Sequence, residues 1–437
     1  MTSLSKMPGM SAQPNWTTAL AAHHFSLVQE FIRSNPQSQE AFQQAQLILP
    51  GGNTRSVLNA TPFPLSIESA QDAFVTSVDG KRYLDFVSDF SAGLFGHSHP
   101  EISHAVETAV NYGFSLGAVT RKEAKLASTI QERFVSIEQI RFCNSGTEAN
   151  IYAIATSMAF TKRSKILVFS HGYHGGVLSF GAGNQALNIP HDFAIGVFDN
   201  IEKTRSLISR DLAAILVEPM QSAGGMRVAS REFLSFLRTA ADETGAILIF
   251  DEVVTSRLHY NGLQGYHGIK PDMTTLGKYL GGGLPFGAFG GREDIMSQFN
   301  PTSSISSESK LLQHSGTFNN NVFTMSAALA ASKIVTPEEI QRINNLGDRL
   351  RERGNQISHE AGFGSELMII GFGSCVGLYF ANDPDGILRD CFYFSLLRAG
   401  IMIGRRGFLM LNFAHTDVLI ERTLVALQDC IGVIQGL

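Results

Sequence analysis

Ile247-Leu248-Ile249-Phe250-Asp251-Glu252-Val253 is the stretch whose reading decides the fold. Four bulky apolar residues in a row fit a short strand buried on both faces, and the acid that closes it marks where the chain leaves the sheet. Runs of the same kind lie upstream at Ala214-Ile215-Leu216-Val217, Ile166-Leu167-Val168-Phe169 and Arg141-Phe142-Cys143, with helical patterns between them. Short buried strands alternating with helices imply an α/β architecture, a mainly parallel sheet covered by helices on both faces. In such a sheet ligands sit beyond the carboxyl ends of the strands, so the residues just after each strand carry the most information.

Outside this region the pattern changes. Residues 17–32 and, after Pro36, 38–48 have apolar side chains at helical spacing, and Pro50-Gly51-Gly52 ends that segment. Residues 74–78 and 83–87 flank Asp79-Gly80, which reads as a two-residue hairpin turn. After about residue 330 come a long helix, two or three strands and a final helix over 417–434. The expected organisation is a larger unit over 66–330 that holds the parallel sheet. Residues 331–437 form a smaller α+β unit, joined by the N-terminal segment 1–65.

Composition narrows the functional classes. The 437 residues are 44% hydrophobic and 17% charged, with a net charge of -5, so no basic face is offered to nucleic acid. No run of eighteen or more apolar residues would span a membrane. Cys143, Cys375, Cys391 and Cys430 are far apart and lack CxxC spacing. They read as buried thiols in a reducing compartment, the cytoplasm, and not as a disulfide frame or zinc site. The first fifteen residues read as a disordered tail without a secretory or mitochondrial signal. His97 and His99 in Gly96-His97-Ser98-His99-Pro100 lack a carboxylate or cysteine at ligand spacing, so no metal site is expected.

Five segments carry chemistry. Asn144-Ser145-Gly146-Thr147-Glu148-Ala149 follows a strand and opens a helix; small residues, hydroxyls and a helix N-terminus suit a phosphate, though a plain capped helix start has the same look. In His171-Gly172-Tyr173-His174-Gly175-Gly176, Tyr173 offers a flat face to an aromatic cofactor ring, and His174 reads as a satisfied buried histidine or a partner of that ring. Asp251 at the end of a buried strand needs a cation or donor, and a protonated pyridine nitrogen is one; an ion pair with Arg257 is the structural alternative. Lys278 stands in Thr275-Leu276-Gly277-Lys278 with Gly281, Gly282 and Gly283 close behind, a setting for a partly neutral, Schiff-base-forming amine and not for a surface lysine. Thr317, in His314-Ser315-Gly316-Thr317, could reach a phosphate from a neighbouring subunit or belong to a simple loop.

From about Pro50 to the C-terminus the chain resembles the class III, fold-type I aminotransferases. The resemblance rests on S-G-T-E-A at 145–149, Y-H-G at 173–175, D-E-V at 251–253 and T-L-G-K at 275–278. It implies pyridoxal 5'-phosphate as cofactor, with Ser145, Gly146 and Thr147 on its phosphate. Tyr173 would lie on the ring, Asp251 at the ring nitrogen and Lys278 in the Schiff base. It also implies a homodimer in which Thr317 crosses the interface.

Arg55 in Pro50-Gly51-Gly52-Asn53-Thr54-Arg55 and Arg406 in Gly404-Arg405-Arg406-Gly407-Phe408 are expected to bind substrate carboxylates, since a guanidinium takes a carboxylate through two parallel hydrogen bonds. Both segments are similar to those of aminotransferases acting on aromatic β-amino acids and to glutamate-1-semialdehyde aminomutases. The expected reaction moves an amino group from an amino acid or amine to a keto acid. The alternatives are an intramolecular aminomutase and a catalytically idle relative that binds the cofactor.

Overall fold

The computed structural model describes residues 17–114, 116–181, 185–302 and 311–437. The tail expected over the first fifteen residues lies outside them. The central sheet has seven strands in the spatial order Gln139–Cys143, Gly287–Gly291, Met273–Gly277, Ile247–Asp251, Leu212–Val217, Lys165–Phe169 and Asp192–Gly196. All run the same way except Gly287–Gly291, which is antiparallel to both its neighbours.

The continuous apolar runs are explained by what lies on either side. Ile166, Val168, Leu216 and Ile249 pack on one face with Ala149, Ala153 and Ile154 of the helix Gly146–Thr161. Leu167, Phe169, Ile215, Leu248 and Phe250 pack on the other with Phe233, Leu234 and Leu237 of the helix Arg231–Thr244. Successive strand residues point to opposite faces, so where both faces of the sheet are covered these runs stay apolar until the strand ends.

Gly287-Ala288-Phe289-Gly290-Gly291 was not among the expected strands, because glycine is depleted in strands and reads as a loop. The reason for the glycines is close packing. A Cβ on Gly287 would lie 2.1 Å from the Ser145 carbonyl oxygen, and one on Gly290 2.6 Å from that of Gln139.

A second core gathers the two ends of the chain. Leu20, Leu27 and Phe31 of the helix Thr17–Ser34 pack with Phe392 and Leu396 of Ile387–Arg398 and with Leu424 and Leu427 of Asp417–Gln435. Val75, Leu84 and Phe86 belong to the same core, and the strand Arg82–Asp85 pairs in parallel with Ile401–Met402. The hairpin expected within the larger unit therefore packs with the chain ends.

Its turn also differs from the two-residue expectation. Ser77 N donates to Lys81 O at 2.9 Å, so three residues, Val78, Asp79 and Gly80, make the loop, with Gly80 at φ 74°. This is the three-residue hairpin whose last residue takes the left-handed conformation. It lets the Asp79 carboxylate accept from Gln37 N at 2.8 Å and Ser38 N at 3.1 Å, capping the helix Pro36–Gln46 from another part of the chain.

Leu248 is wholly buried and Val418 largely exposed. Leu248→Ala is expected to destabilise the protein by about 2–5 kcal/mol, the usual range for such a cavity. Val418→Ala should stay within about 0.5 kcal/mol. Denaturant unfolding of both variants checks this.

Candidate active site

The strand ends converge as the sheet topology requires. Ser145 and Asp251 lie at the carboxyl ends of Gln139–Cys143 and Ile247–Asp251, and Lys278 directly follows Met273–Gly277. Tyr173 comes four residues after Lys165–Phe169.

At Ser145 the chain turns from extended to helical. The Ser145 hydroxyl accepts from Glu148 N at 3.1 Å, and the first regular helical bond runs from Ala149 N to Ser145 O at 3.0 Å. The N–H groups of Gly146 and Thr147 precede that bond and have no carbonyl within the helix, which makes this end a place for an anion. Gly175, at φ +131°, leaves room beside it: a Cβ there would lie 2.3 Å from Thr147 Oγ1.

Asp251 is 4% exposed. Its Oδ2 accepts from Asn150 Nδ2 at 2.8 Å and from His174 Nδ1 at 2.8 Å, and its Oδ1 accepts from Val253 N at 3.0 Å. Asn150 is itself fixed, donating to His174 O at 3.0 Å and accepting from Thr275 Oγ1 at 2.7 Å. The ion pair with Arg257 considered from sequence does not form. Arg257 is wholly buried and donates to Ser374 Oγ and to the carbonyls of Ser91 and Leu411. His174 is the buried, satisfied histidine expected, but what satisfies it is Asp251.

Glu218 was missed. It follows the strand Leu212–Val217, is buried, and accepts from Tyr173 N at 2.9 Å and Ser222 N at 3.4 Å. Burial pushes its carboxyl up to about 7, with Asp251 adding to the shift; His174 and the two N–H donors oppose it. Burial pulls the His174 imidazole down, but its hydrogen bond to Asp251 and the charges of Asp251 and Glu218 outweigh this and hold it above its ordinary value. The strand-end rule that picks out Asp251 applies equally to Glu218-Pro219 and could have found it. Tyr173 is 49% exposed, so its ring stands at the mouth of this cluster.

Lys278 is a non-glycine residue at φ 55°, and its amine donates to the Phe90 carbonyl. Burial pushes that amine down to about 8. Cys375, Asp251 and Asp89 pull the other way, and the Arg257 charge adds to the fall. Phe90 lies in a run of four consecutive left-handed residues, Ser88, Asp89, Phe90 and Ser91, at φ 43°, 42°, 54° and 77°. Each such conformation costs a non-glycine residue about 1–2 kcal/mol, so its surroundings must hold it. Asp85 accepts from Val87 N and Ser88 N, Ser88 Oγ donates to Met410 O, and Arg257 donates to Ser91 O.

The two arginines expected at carboxylates sit at opposite ends of a row of rings. The Arg55 guanidinium lies 5.0 Å from the Phe90 ring centre, Phe90 and Phe408 are 5.3 Å apart, and the Arg406 guanidinium is 6.0 Å from Phe408. Arg55 Nη1 also donates to Asp89 Oδ1 at 2.6 Å. The neighbouring Arg405 is engaged elsewhere and forks onto Asp390 at 3.0 and 2.6 Å. Thr317 is exposed and lines a groove with Phe114, Leu116 and Val119; among the described residues no hydrogen bond joins it to the cluster around Lys278.

A family model described as class-III aminotransferase matches residues 56–194 and 186–431. Beta-phenylalanine transaminase of Variovorax paradoxus is 43% identical over 416 residues, 92% of this chain and 94% of that protein. The solved structure of a beta-phenylalanine aminotransferase from Variovorax paradoxus superimposes with a TM-score of 0.91 at 42% identity, over 96% of this chain and 99% of that one. Glutamate-1-semialdehyde 2,1-aminomutase of Bacillus subtilis (strain 168) is 33% identical over 429 residues, 90% of this chain and 97% of that protein.

With its amine at about 8, Lys278 is expected to turn reactive far below the surface lysines. Labelling of cofactor-free protein with an acylating reagent, read by peptide mass spectrometry across pH, should give a midpoint near pH 8 at Lys278. Above it the amine is neutral and reacts; below it the proton protects. A midpoint at about 10.4, the unperturbed value, would show that burial does not act on this amine.

Proposed function

The chain belongs to the class-III aminotransferase family, and on that premise we propose that it uses pyridoxal 5'-phosphate to transfer amino groups from aromatic β-amino acids to a keto acid. The observation that carries the reading is the Asp251 cluster: a buried carboxylate whose ion-pair partner among the described residues is a single histidine. A buried carboxylate is costly without a donor facing it, and a ring N–H satisfies that need. The free N–H groups at Gly146 and Thr147 fit the phosphate, and the low amine pKa at Lys278 fits a Schiff base.

When bound, pyridoxal phosphate supplies an aldehyde that takes up an amine and a cationic ring that draws electrons from the adjoining carbon. Asp251 would hold the proton on the ring nitrogen, and His174 and Asn150 fix the carboxylate in place. Ser145, Gly146 and Thr147 would bind the phosphate, and Tyr173 would offer its ring to the cofactor. Lys278 Nζ, neutral in part of its population near pH 8, is placed to accept a proton from the substrate carbon that bears the amino group and to hold it as an ammonium. Arg55 and Arg406 bind carboxylates at the two ends of the row formed by Phe90 and Phe408, whose rings offer a surface for an aryl group. The substrate class is supported further by the name of the Variovorax paradoxus relative.

The exposed Phe114, Val119 and Phe318 around the groove of Thr317 support a homodimer in which Thr317 reaches the partner's phosphate. The core that joins the chain ends supports a smaller unit made of the N-terminal segment and residues 331–437, extended by the hairpin up to Phe86. Four buried, unpaired thiols support a reducing compartment such as the cytoplasm.

Loaded protein supplied with β-phenylalanine and a keto acid should convert the keto acid to its amino acid, and the reaction should stop without the acceptor. Conversion of glutamate-1-semialdehyde with no acceptor present would identify an aminomutase instead. Asp251→Asn keeps the shape and removes the charge, and should slow transfer by about 10²–10³-fold, as for loss of a preorganised electrostatic partner. Steady-state rates of the variant decide this; a fall under tenfold would remove Asp251 from the mechanism.

A further inference from the structure

We propose that Asp89 is a resident counter-ion for Arg55, occupying its guanidinium until a substrate carboxylate takes the place, and so sets how tightly that carboxylate is held. The inference rests on the reading of Arg55 as a carboxylate-binding residue and adds a competitor to it.

The geometry is that of a contact made to be exchanged. The pair uses one guanidinium nitrogen, Nη1, at 2.6 Å from one carboxylate oxygen. A substrate carboxylate can present both oxygens to the planar edge and form two parallel bonds, which a single contact does not match. The side chains of Arg55 and Asp89 are 47% and 57% exposed, so solvent and salt screen the pair and it adds little to stability.

The backbone under Asp89 is costly by comparison. Asp89 is second in the left-handed run 88–91, a conformation that persists only where its surroundings impose it, and such strain gathers at functional sites. The run is anchored from three directions: by the Asp85 carboxylate, by Asn412, whose Nδ2 donates to Ser88 Oγ at 3.1 Å, and by Arg257. It places two consecutive residues at once. Phe90 gives its carbonyl to the Lys278 amine and its ring to the Arg55 guanidinium, while Asp89 gives its carboxylate to the same guanidinium. A pair that contributes little to folding thus sits on backbone whose shape is tied to the reacting lysine. That arrangement suits control of substrate binding better than support of the fold.

The test uses the cofactor-loaded protein and 3-phenylpropanoate, which carries the aryl group and carboxylate of the proposed donor without an amine. Binding is measured by calorimetry for wild type, Asp89→Asn, Arg55→Gln and the double variant. Asparagine tolerates the left-handed backbone and keeps the shape of the side chain. Asp89→Asn should bind the probe about two- to fivefold more tightly, the range set by an exposed ion pair. Arg55→Gln should bind it at least about tenfold more weakly, as for loss of a charged hydrogen-bond partner. In the Arg55→Gln background the change at Asp89 should have no effect. If Arg55→Gln weakens binding while Asp89→Asn fails to tighten it, the counter-ion role is overturned and the reading of Arg55 stands. If Arg55→Gln leaves the affinity unchanged, the reading of Arg55 itself fails, and the role of Asp89 with it.

Discussion

The Asp251 carboxylate, buried at the tip of an apolar strand, is the constraint around which the rest of the site is arranged. A carboxylate in that position has to be met by donors, and the chain supplies three from separate elements: Asn150 from the helix after Ser145, His174 from the loop after Phe169, and its own neighbour Val253. Each of the first two contacts fixes a segment that also serves the site in another way. Asn150 lies on the helix Gly146–Thr161, whose N-terminus is the proposed anion site, and His174 directly follows Tyr173. Thr275, which holds Asn150, stands three residues before Lys278. One buried carboxylate therefore ties together the helix that begins after Ser145, the loop that carries Tyr173 and the strand that leads to Lys278.

The lysine side is organised by a different expense, the left-handed run 88–91. Its carbonyl output goes to Lys278 and its side chains go to Arg55. Arg257, a wholly buried cation whose hydrogen-bond partners among the described residues are neutral oxygens, anchors the run and also disfavours the protonated form of Lys278. Strain in the backbone and burial of an unpaired charge are both costly in stability. Both recur here within reach of one amine, the Lys278 Nζ.

Much of this was legible in the sequence because burial leaves a simple mark. Strands covered on both faces read as uninterrupted apolar runs, and the polar residue that breaks each run falls at the carboxyl edge of the sheet; Asp251 was picked out this way, and the glycine frame pointed to Lys278. Two kinds of information were not legible. Gly287–Gly291 pairs inside the sheet because backbone packs on backbone, which looks like a loop in sequence. The pairing of the hairpin with Ile401–Met402 joins residues more than three hundred positions apart, and no local pattern encodes that. Within the site, Glu218 carried a usable signal, a charge directly after a buried strand. Asp89 carried none, since its meaning depends on a guanidinium 34 residues away and on a run of four left-handed residues that no local pattern announces.

The most direct measurement is covalent: load the protein with pyridoxal phosphate, reduce it with borohydride, and map the modified peptide by mass spectrometry. A single phosphopyridoxyl group on Lys278, absent from a Lys278→Ala variant, is the expected result. Modification elsewhere, or none at saturating cofactor, would contradict the assignment of Lys278 and with it the reaction built on that amine.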